Sequence, residues 1–236
     1  MIYVGVDDTD MPGTPGTNKF ARALAAALDD RYRCEIIVRH QLLQDPRVPC
    51  TSKNSAAAML LDPRNGPSLE PLISSLRDFI DKWFIKGSDP GFCITEEVPD
   101  DLTEFGRRCQ RELVSQDEAR RLAETNGIHL EGCGGTSDGV IGALAAVGLF
   151  AEGNDGRVVQ IGQWPDDLSG LQDVASLESR GVEVRCLDST QPVTSGVVDV
   201  GKHLRPSYRE KRIIQFVRRT STDRSDLNVW QGVRLT

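Results

Sequence analysis

The chain reads as a mixed α/β (α+β) protein of two lobes. Three features say so: short apolar runs alternate with amphipathic stretches of helix length, the pattern changes near residue 115, and 236 residues can bury one large core or two small ones. Ile2, Tyr3, Val4, Gly5 and Val6 form a first strand, and the turn-rich stretch 12–17 empties into a helix. Thr17 is placed to cap that helix, on which Phe20, Leu24, Ala27 and Leu28 share one face. Residues 35–39 form a strand, and two prolines keep 45–56 irregular. Residues 67–83 form a helix with Leu69, Leu72, Ile73, Leu76, Ile80 and Trp83 as its apolar stripe. A short strand at 91–95 precedes a helix at 99–113 carrying Leu102, Phe105, Cys109 and Leu113. Ser115 and Glu118 make a capping box that opens a further helix, stopped near Gly127.

Beyond that helix the reading is a strand at 128–130, a backbone loosened by Gly132, Gly134 and Gly135, and a small-residue helix at 140–149. A strand at 157–163, a helix at 168–180 and strands at 182–186, 197–200 and 213–217 complete the second half, and the polar stretch after Arg218 is expected to be loosely ordered. Lys202, Arg205, Arg209, Lys211, Arg212, Arg218 and Arg219 stand against the single acid Glu210, with Ile213, Ile214, Phe216 and Val217 interleaved. That pattern fits a terminal strand with a solvated charged face better than a nucleic-acid contact.

Composition narrows the function. A formal charge of −7 gives no support for broad binding to nucleic acid. No apolar run approaches the ~20 residues of a membrane span, and the start lacks the basic and apolar regions of a signal peptide. The six cysteines are scattered, without a C-x-x-C pair or finger-like spacing to the three histidines, so a zinc module and a disulfide scaffold are both disfavoured. A cytoplasmic location is expected.

The chemistry concentrates where the first strand ends. Asp7, Asp8 and Asp10 follow it directly, and three acids so close repel one another unless a cation sits among them. The coming helix N-terminus offers unpaired N–H groups to a phosphate. Carboxylates beside a phosphate seat point to Mg²⁺ held between protein and nucleotide, with Asp8 and Asp10 as metal ligands and Asp7 as base or supporting partner. Thr14, Gly16, Thr17, Asn18 and Lys19 supply backbone N–H groups, hydroxyls and an ammonium, although the loop is no Walker A motif. The same stretches also read as an Asp-rich turn and a well-capped helix start.

Three further segments are candidates. In 45–56, Arg47, Thr51, Lys53 and Asn54 are available donors, with Lys53 and Asn54 assigned to the cofactor; the alternative is a surface connection. The turn 88–91 and the glycine-rich segment 131–142 furnish Asp89, Gly91 and Gly135 as candidate substrate contacts. Turn formation and tight packing of a helix on a sheet explain those residues equally.

Together the run 4–10 with Thr17, the segment 49–56, the turn 89–91 and the run 139–148 (Gly-Val-Ile-Gly-Ala-Leu-Ala-Ala-Val-Gly) resemble the archaeal tRNA-Ile 2-agmatinylcytidine synthetases in order and spacing. That resemblance implies an N-terminal kinase-like domain using ATP and Mg²⁺, here residues 1–113, followed by a ferredoxin-like domain at 114–236. It implies ATP chemistry at the acidic cluster, phosphorylation of the threonine matched by Thr17, and an amine pocket between the domains. The family joins agmatine to a tRNA cytidine and continues into an OB-fold and a zinc ribbon. Without those modules tRNA is expected to be reached only through a separate partner protein. Residues 13–19 replace a cysteine-threonine-rich loop of the family, and 50–55 a segment richer in glycine.

The expected function is therefore an ATP- and Mg²⁺-dependent phosphoryl-transfer or ligase-type enzyme acting on a small-molecule amine or nucleoside acceptor, with a homodimer left open by the sheet edges. Asp7, Asp8, Asp10 and Thr17 are its catalytic candidates. Two alternatives stand beside it. One is a non-catalytic nucleotide-binding or tRNA-enzyme accessory module. The other is an aspartate-nucleophile phosphatase, to whose D-x-D start Asp8-Thr9-Asp10 is similar, with Pro12 where Thr or Val belongs.

Overall fold

The structure is a computed structural model and describes residues 1–48, 50–51, 53–64, 66, 69–162, 168–219 and 229–235. Of these, the residues within 1–152 and 159–162 form one compact unit, and those within 153–158 and 163–236 a second. The border expected at 113/114 falls inside the first unit, because two helices and a sheet strand between residues 114 and 152 belong to it.

Strand β1 (Ile2–Asp7) lies at the centre of the first unit. It runs antiparallel to β3 (Ser55–Pro63) on one side and to β4 (Gly91–Thr95) on the other. Strand β2 (Tyr32–Gln41) extends the sheet beyond β3, and β5 (His129–Gly132) extends it beyond β4, again antiparallel. Residues alternate across a strand. Ile2, Val4 and Val6 therefore join Phe20, Leu24 and Leu28 of α1 (Thr17–Leu28) and Leu72, Leu76 and Ile80 of α2 (Leu69–Trp83) in the main core.

The opposite face of β1, carrying Tyr3, Gly5 and Asp7, lies against α5 (Gly139–Glu152). The approach is close enough to require glycine. A Cβ on Gly5 would stand 1.9 Å from the Ala143 carbonyl oxygen, and one on Gly91 would stand 2.3 Å from the Gly139 carbonyl carbon. Helix α3 (Asp100–Cys109) packs on the far side of α5 with the same economy, Gly148 meeting the Leu102 carbonyl. Helix α5 is thus covered on both sides, which suits its nearly all-apolar sequence. Helix α4 (Gln116–Thr125) opens with the expected capping box of Ser115 and Glu118, and Gly127 follows it at φ +64.

Several expectations are corrected. Gly16, in extended backbone and without a side-chain bond, precedes α1, and Thr17 is the first helical residue rather than the cap. Ala27 is exposed, and Ala21 and Ala25 take its place in the buried face. Helix α3 ends at Cys109, so Leu113 is 44% exposed. Strand β3 has no counterpart in the sequence reading. Its Ser-Ala-Ala-Ala-Met-Leu-Leu run has little β-branching and no alternation, because both faces of the strand are covered. Pro67 and Gln163, placed at the ends of a helix and a strand, lie outside the described residues, as do Pro49 and Ser52.

Strand β6 (Arg157–Ile161) contributes its first two residues to the second unit and the rest to the first. In the second unit the 168–180 helix is replaced by β7 (Leu171–Asp173) and the short α6 (Val174–Glu178). Gly170, at φ +65, breaks the chain there, and β7 finds a ladder partner in β9 (Val197–Asp199). The hub is β11 (Arg212–Arg219), antiparallel to β10 (Ser207–Arg209) and β12 (Val229–Val233) and parallel to β8 (Val182–Cys186). Strand β12 corrects the expectation of a loose tail; residues 220–228 lie outside the described set. Arg185 pairs with Glu183 and Glu210, Arg212 with Glu183, and Arg218 with Asp188, so two exposed arginines of β11 stand in local ion pairs, while the half-buried Arg205 and Arg209 donate to backbone carbonyls. No helix among the described residues is long and apolar enough to cross a membrane.

Candidate active site

The end of β1 builds the site. Asp7 is the last residue of the strand, and its carboxylate lies under α5, where a Cβ on Gly142 would come within 1.8 Å of Oδ2. Asp8 then turns the chain in a left-handed conformation, φ +51, uncommon for any residue but glycine, asparagine and aspartate. The next turn is closed by Thr14, whose hydroxyl accepts from the Met11 N–H at 2.8 Å and donates to the Met11 carbonyl at 2.7 Å. The chain then enters α1 at Thr17. Its hydroxyl donates to Asp10 Oδ1 at 3.1 Å and faces Thr9 Oγ1 at 3.3 Å, while Thr51 Oγ1 donates to Asp10 Oδ2 at 2.9 Å. Asp10 thus joins the loop after β1, the first turn of α1 and the β2–β3 connection.

Asp7, Asp8, Asp10, Thr17 and Thr51 line a cavity of about 360 Å³ in the first unit. Of the sequence candidates, Asp7, Asp8, Asp10, Gly16, Thr17, Asn18, Lys53 and Asn54 face it. Thr14, Lys19, Asp89, Gly91 and Gly135 do not line it. Thr14 is consumed by its turn. Gly91 lies beneath the start of α5, and Gly135, at φ +49, leaves room for the Asp89 carboxylate, which a Cβ there would overlap at 1.3 Å. That carboxylate accepts from the Thr136 N–H at 2.8 Å and the Thr136 hydroxyl at 2.9 Å, while the Asp89 backbone N–H donates to Asp8. Asp89 therefore holds the loop before α5 and steadies Asp8.

Crowding of acids dominates the electrostatics. Burial, and then the neighbouring Asp89, Asp10 and Asp138, push the Asp8 carboxyl up to about 6. Asp7 is driven well above the usual carboxylate range, chiefly by burial and further by Asp8 and Asp10, against the opposing pull of the Asp8 N–H and Arg39. Such carboxyls hold protons at pH values where surface ones have lost them.

The connection between β2 and β3 forms another wall. Leu42 N–H donates to the Asn54 carbonyl at 2.9 Å and Asn54 Nδ2 to the Leu43 carbonyl at 2.9 Å, so the Asn54 amide is a brace. Leu43 N–H reaches the Cys109 carbonyl at 2.9 Å, and Gln110 Nε2 reaches the Gln41 carbonyl at 3.0 Å, anchoring this connection to the end of α3. Arg47 is bidentate to Asp45, at 2.8 and 2.7 Å. Sequence reasoning missed Arg39 and Asp138, both of which line the cavity. The available signal for Arg39 was a charge directly after the apolar Ile36-Ile37-Val38 run of β2.

No family model matches the chain. The tRNA(Ile2) 2-agmatinylcytidine synthetase TiaS of Pyrococcus horikoshii is 27% identical over 157 residues, covering 63% of this chain and 35% of that protein. The chain is thus similar to TiaS over nearly two thirds of its length. It spans about a third of the length of this relative. Solved structures agree in fold over 62% of the chain and about 35% of theirs. A tRNA fluorescent labeling enzyme gives a TM-score of 0.56 at 23% identity. TiaS with tRNA(Ile2), AMPCPP and agmatine gives 0.54 at 22%, and TiaS with tRNA(Ile2) and ATP gives 0.52 at 23%. Over that matched part the chain has the mixed α/β fold of these structures.

Proposed function

We propose that this chain carries the ATP-using centre of a ligase-like, tRNA-modifying enzyme and that the cavity at the end of β1 is where ATP reacts. The observation that carries the reading is the Thr17 hydroxyl, held on the Asp10 carboxylate at 3.1 Å in the first turn of α1 and facing the cavity. A hydroxyl on a carboxylate is a nucleophile beside its base, and a helix N-terminus favours the phosphate it would attack. The relatives support the same direction, because TiaS has been solved with ATP and, separately, with AMPCPP and agmatine, each time with tRNA(Ile2).

Asp10 takes the Thr17 proton as its oxygen bonds to a phosphorus of ATP and the bond to the departing nucleotide oxygen breaks. The phosphoryl group then passes to an oxygen of the acceptor, which an amine displaces with release of phosphate. Asp10 rather than Asp7 is the base in this scheme, since Asp7 is held under α5. Lys53, without an ion-pair partner among the described residues, offers charge to the phosphates. Asp89 acts by holding Asp8.

Mg²⁺ fits this acid wall. Among the described residues no three His, Cys, Asp or Glu side chains already make a metal cage. Mg²⁺ typically uses one or two carboxylates and completes its shell with water and substrate phosphate. Asp8 and Asp10 would hold it, and the mutual repulsion that raises Asp8 is what a divalent cation offsets. When bound, the ion would neutralise charge on the transferring phosphoryl group.

The test is ATP turnover with Mg²⁺ by wild type, Asp10→Asn and Asp8→Asn, with products separated, in the presence and absence of agmatine. Wild-type turnover that falls about 100-fold or more in Asp10→Asn supports the reading. Stimulation by agmatine identifies the amine. Full turnover in both variants overturns it, and tight ATP binding without product marks a nucleotide-binding module instead.

A further inference from the structure

The cavity is lined by three cations, Arg39, Arg47 and Lys53, which are not equivalent. The Arg47 guanidinium is already paired with Asp45 through two hydrogen bonds. Lys53 extends from a loop. Arg39 stands on β2 beside β3, its Nε donating to Ser55 Oγ at 3.0 Å and one terminal nitrogen to Gln41 Oε1 at 3.2 Å. Both partners are neutral, and no carboxylate is in ion-pair contact with Arg39 among the described residues. Burial disfavours its charge, and Asp7 supplies the opposing attraction without a bond to it. A half-buried guanidinium fixed at one edge, with donors left over and a cavity in front of it, is built to receive an oxyanion.

From this geometry we propose that Arg39 is the residue that grips a phosphate oxyanion of the bound triphosphate, pre-aimed by Ser55 and Gln41. The inference rests on the ATP reading above and adds a residue that the acidic loop could not reveal. It places the anion between two unlike walls: carboxylates from the loop after β1 on one, a fixed fork from β2 on the other. Lysine at position 39 would keep the charge and lose the planar fork, so Arg39→Lys is an informative substitution. Ser55→Ala would leave the arginine in place and release its Nε.

The experiment measures the affinity of the full chain for Mg·ATP and for inorganic tripolyphosphate, with thermal melts of each variant alongside. Arg39→Lys should weaken both ligands roughly 10- to 100-fold, and Ser55→Ala by a smaller factor of about 3 to 10, with the melts preserved. Wild-type affinity for both ligands in a folded Arg39→Lys overturns the assignment while leaving ATP binding intact. Should Arg39→Lys fail to fold, Ser55→Ala decides: unchanged affinity there overturns the assignment. Absence of any binding by wild type removes the ATP reading and this inference together.

Discussion

Asp8 combines two unfavourable circumstances, a left-handed φ of +51 and a carboxyl pushed up to about 6 from 3.8. Backbone and charge strain of this kind gather at functional turns. Because the folded pKa is the higher one, the native state binds more protons than the unfolded chain between those two values. Stability therefore declines as pH rises through that window, and the penalty is complete above about 6. Asparagine accepts the same φ and carries no charge to expel. Asp8→Asn is accordingly expected to raise the thermal midpoint at pH 8 by about 2–4 °C, allowing for solvent screening at a partly exposed site, and to leave it unchanged near pH 3.5. Equal effects at the two pH values would show that charge is not the cause. The same variant is expected to lose ATP turnover, so stability and activity move in opposite directions.

Helix α5 and strand β1 are held together by the absence of side chains. Gly5→Ala places a methyl carbon 1.9 Å from a backbone carbonyl oxygen, which cannot rotate away. The expected cost is about 3 kcal/mol, read as a lower urea midpoint with an unchanged slope. Ser115→Ala removes the hydroxyl that accepts from the Glu118 N–H while leaving the reciprocal bond from the Ser115 N–H to the Glu118 carboxylate, for about 1 kcal/mol by the same measurement. Sequence made such elements legible when local chemistry alone shapes them. The capping box announced α4, the acids after an apolar run announced the site, and the period of α2 matched its buried stripe. It failed where the partner decides. An alanine-rich run becomes β3 only because β1 and β2 flank it. Leu171 to Asp173 becomes a strand because β9 is available to pair. Arg39 was opaque for a related reason: a charge on a strand reads as solvent-facing until the cavity in front of it is known.

All lining residues of the cavity belong to the first compact unit. A fragment ending at Gly162 is expected to fold and to bind Mg·ATP with an affinity within a few-fold of the full chain, by calorimetry. One ending at Leu113 would lack β5 and α5, uncover Gly5 and Asp7, and be recovered insoluble or unfolded. A soluble, nucleotide-binding 1–113 fragment would return the border to the position the sequence suggested. The sheet order has a further consequence, for the chain as it leaves the ribosome. Strand β1, which occupies the middle of the sheet, is translated before both strands that flank it, and β4 emerges about 90 residues later. At roughly 5–20 residues per second, that leaves one edge of an apolar strand unpaired for about 5–20 s. Nascent chains are therefore most exposed to chaperones, and to one another, before the nucleotide site exists. Silent changes that slow decoding between β1 and β4 would lower soluble yield without altering a single contact in the finished protein.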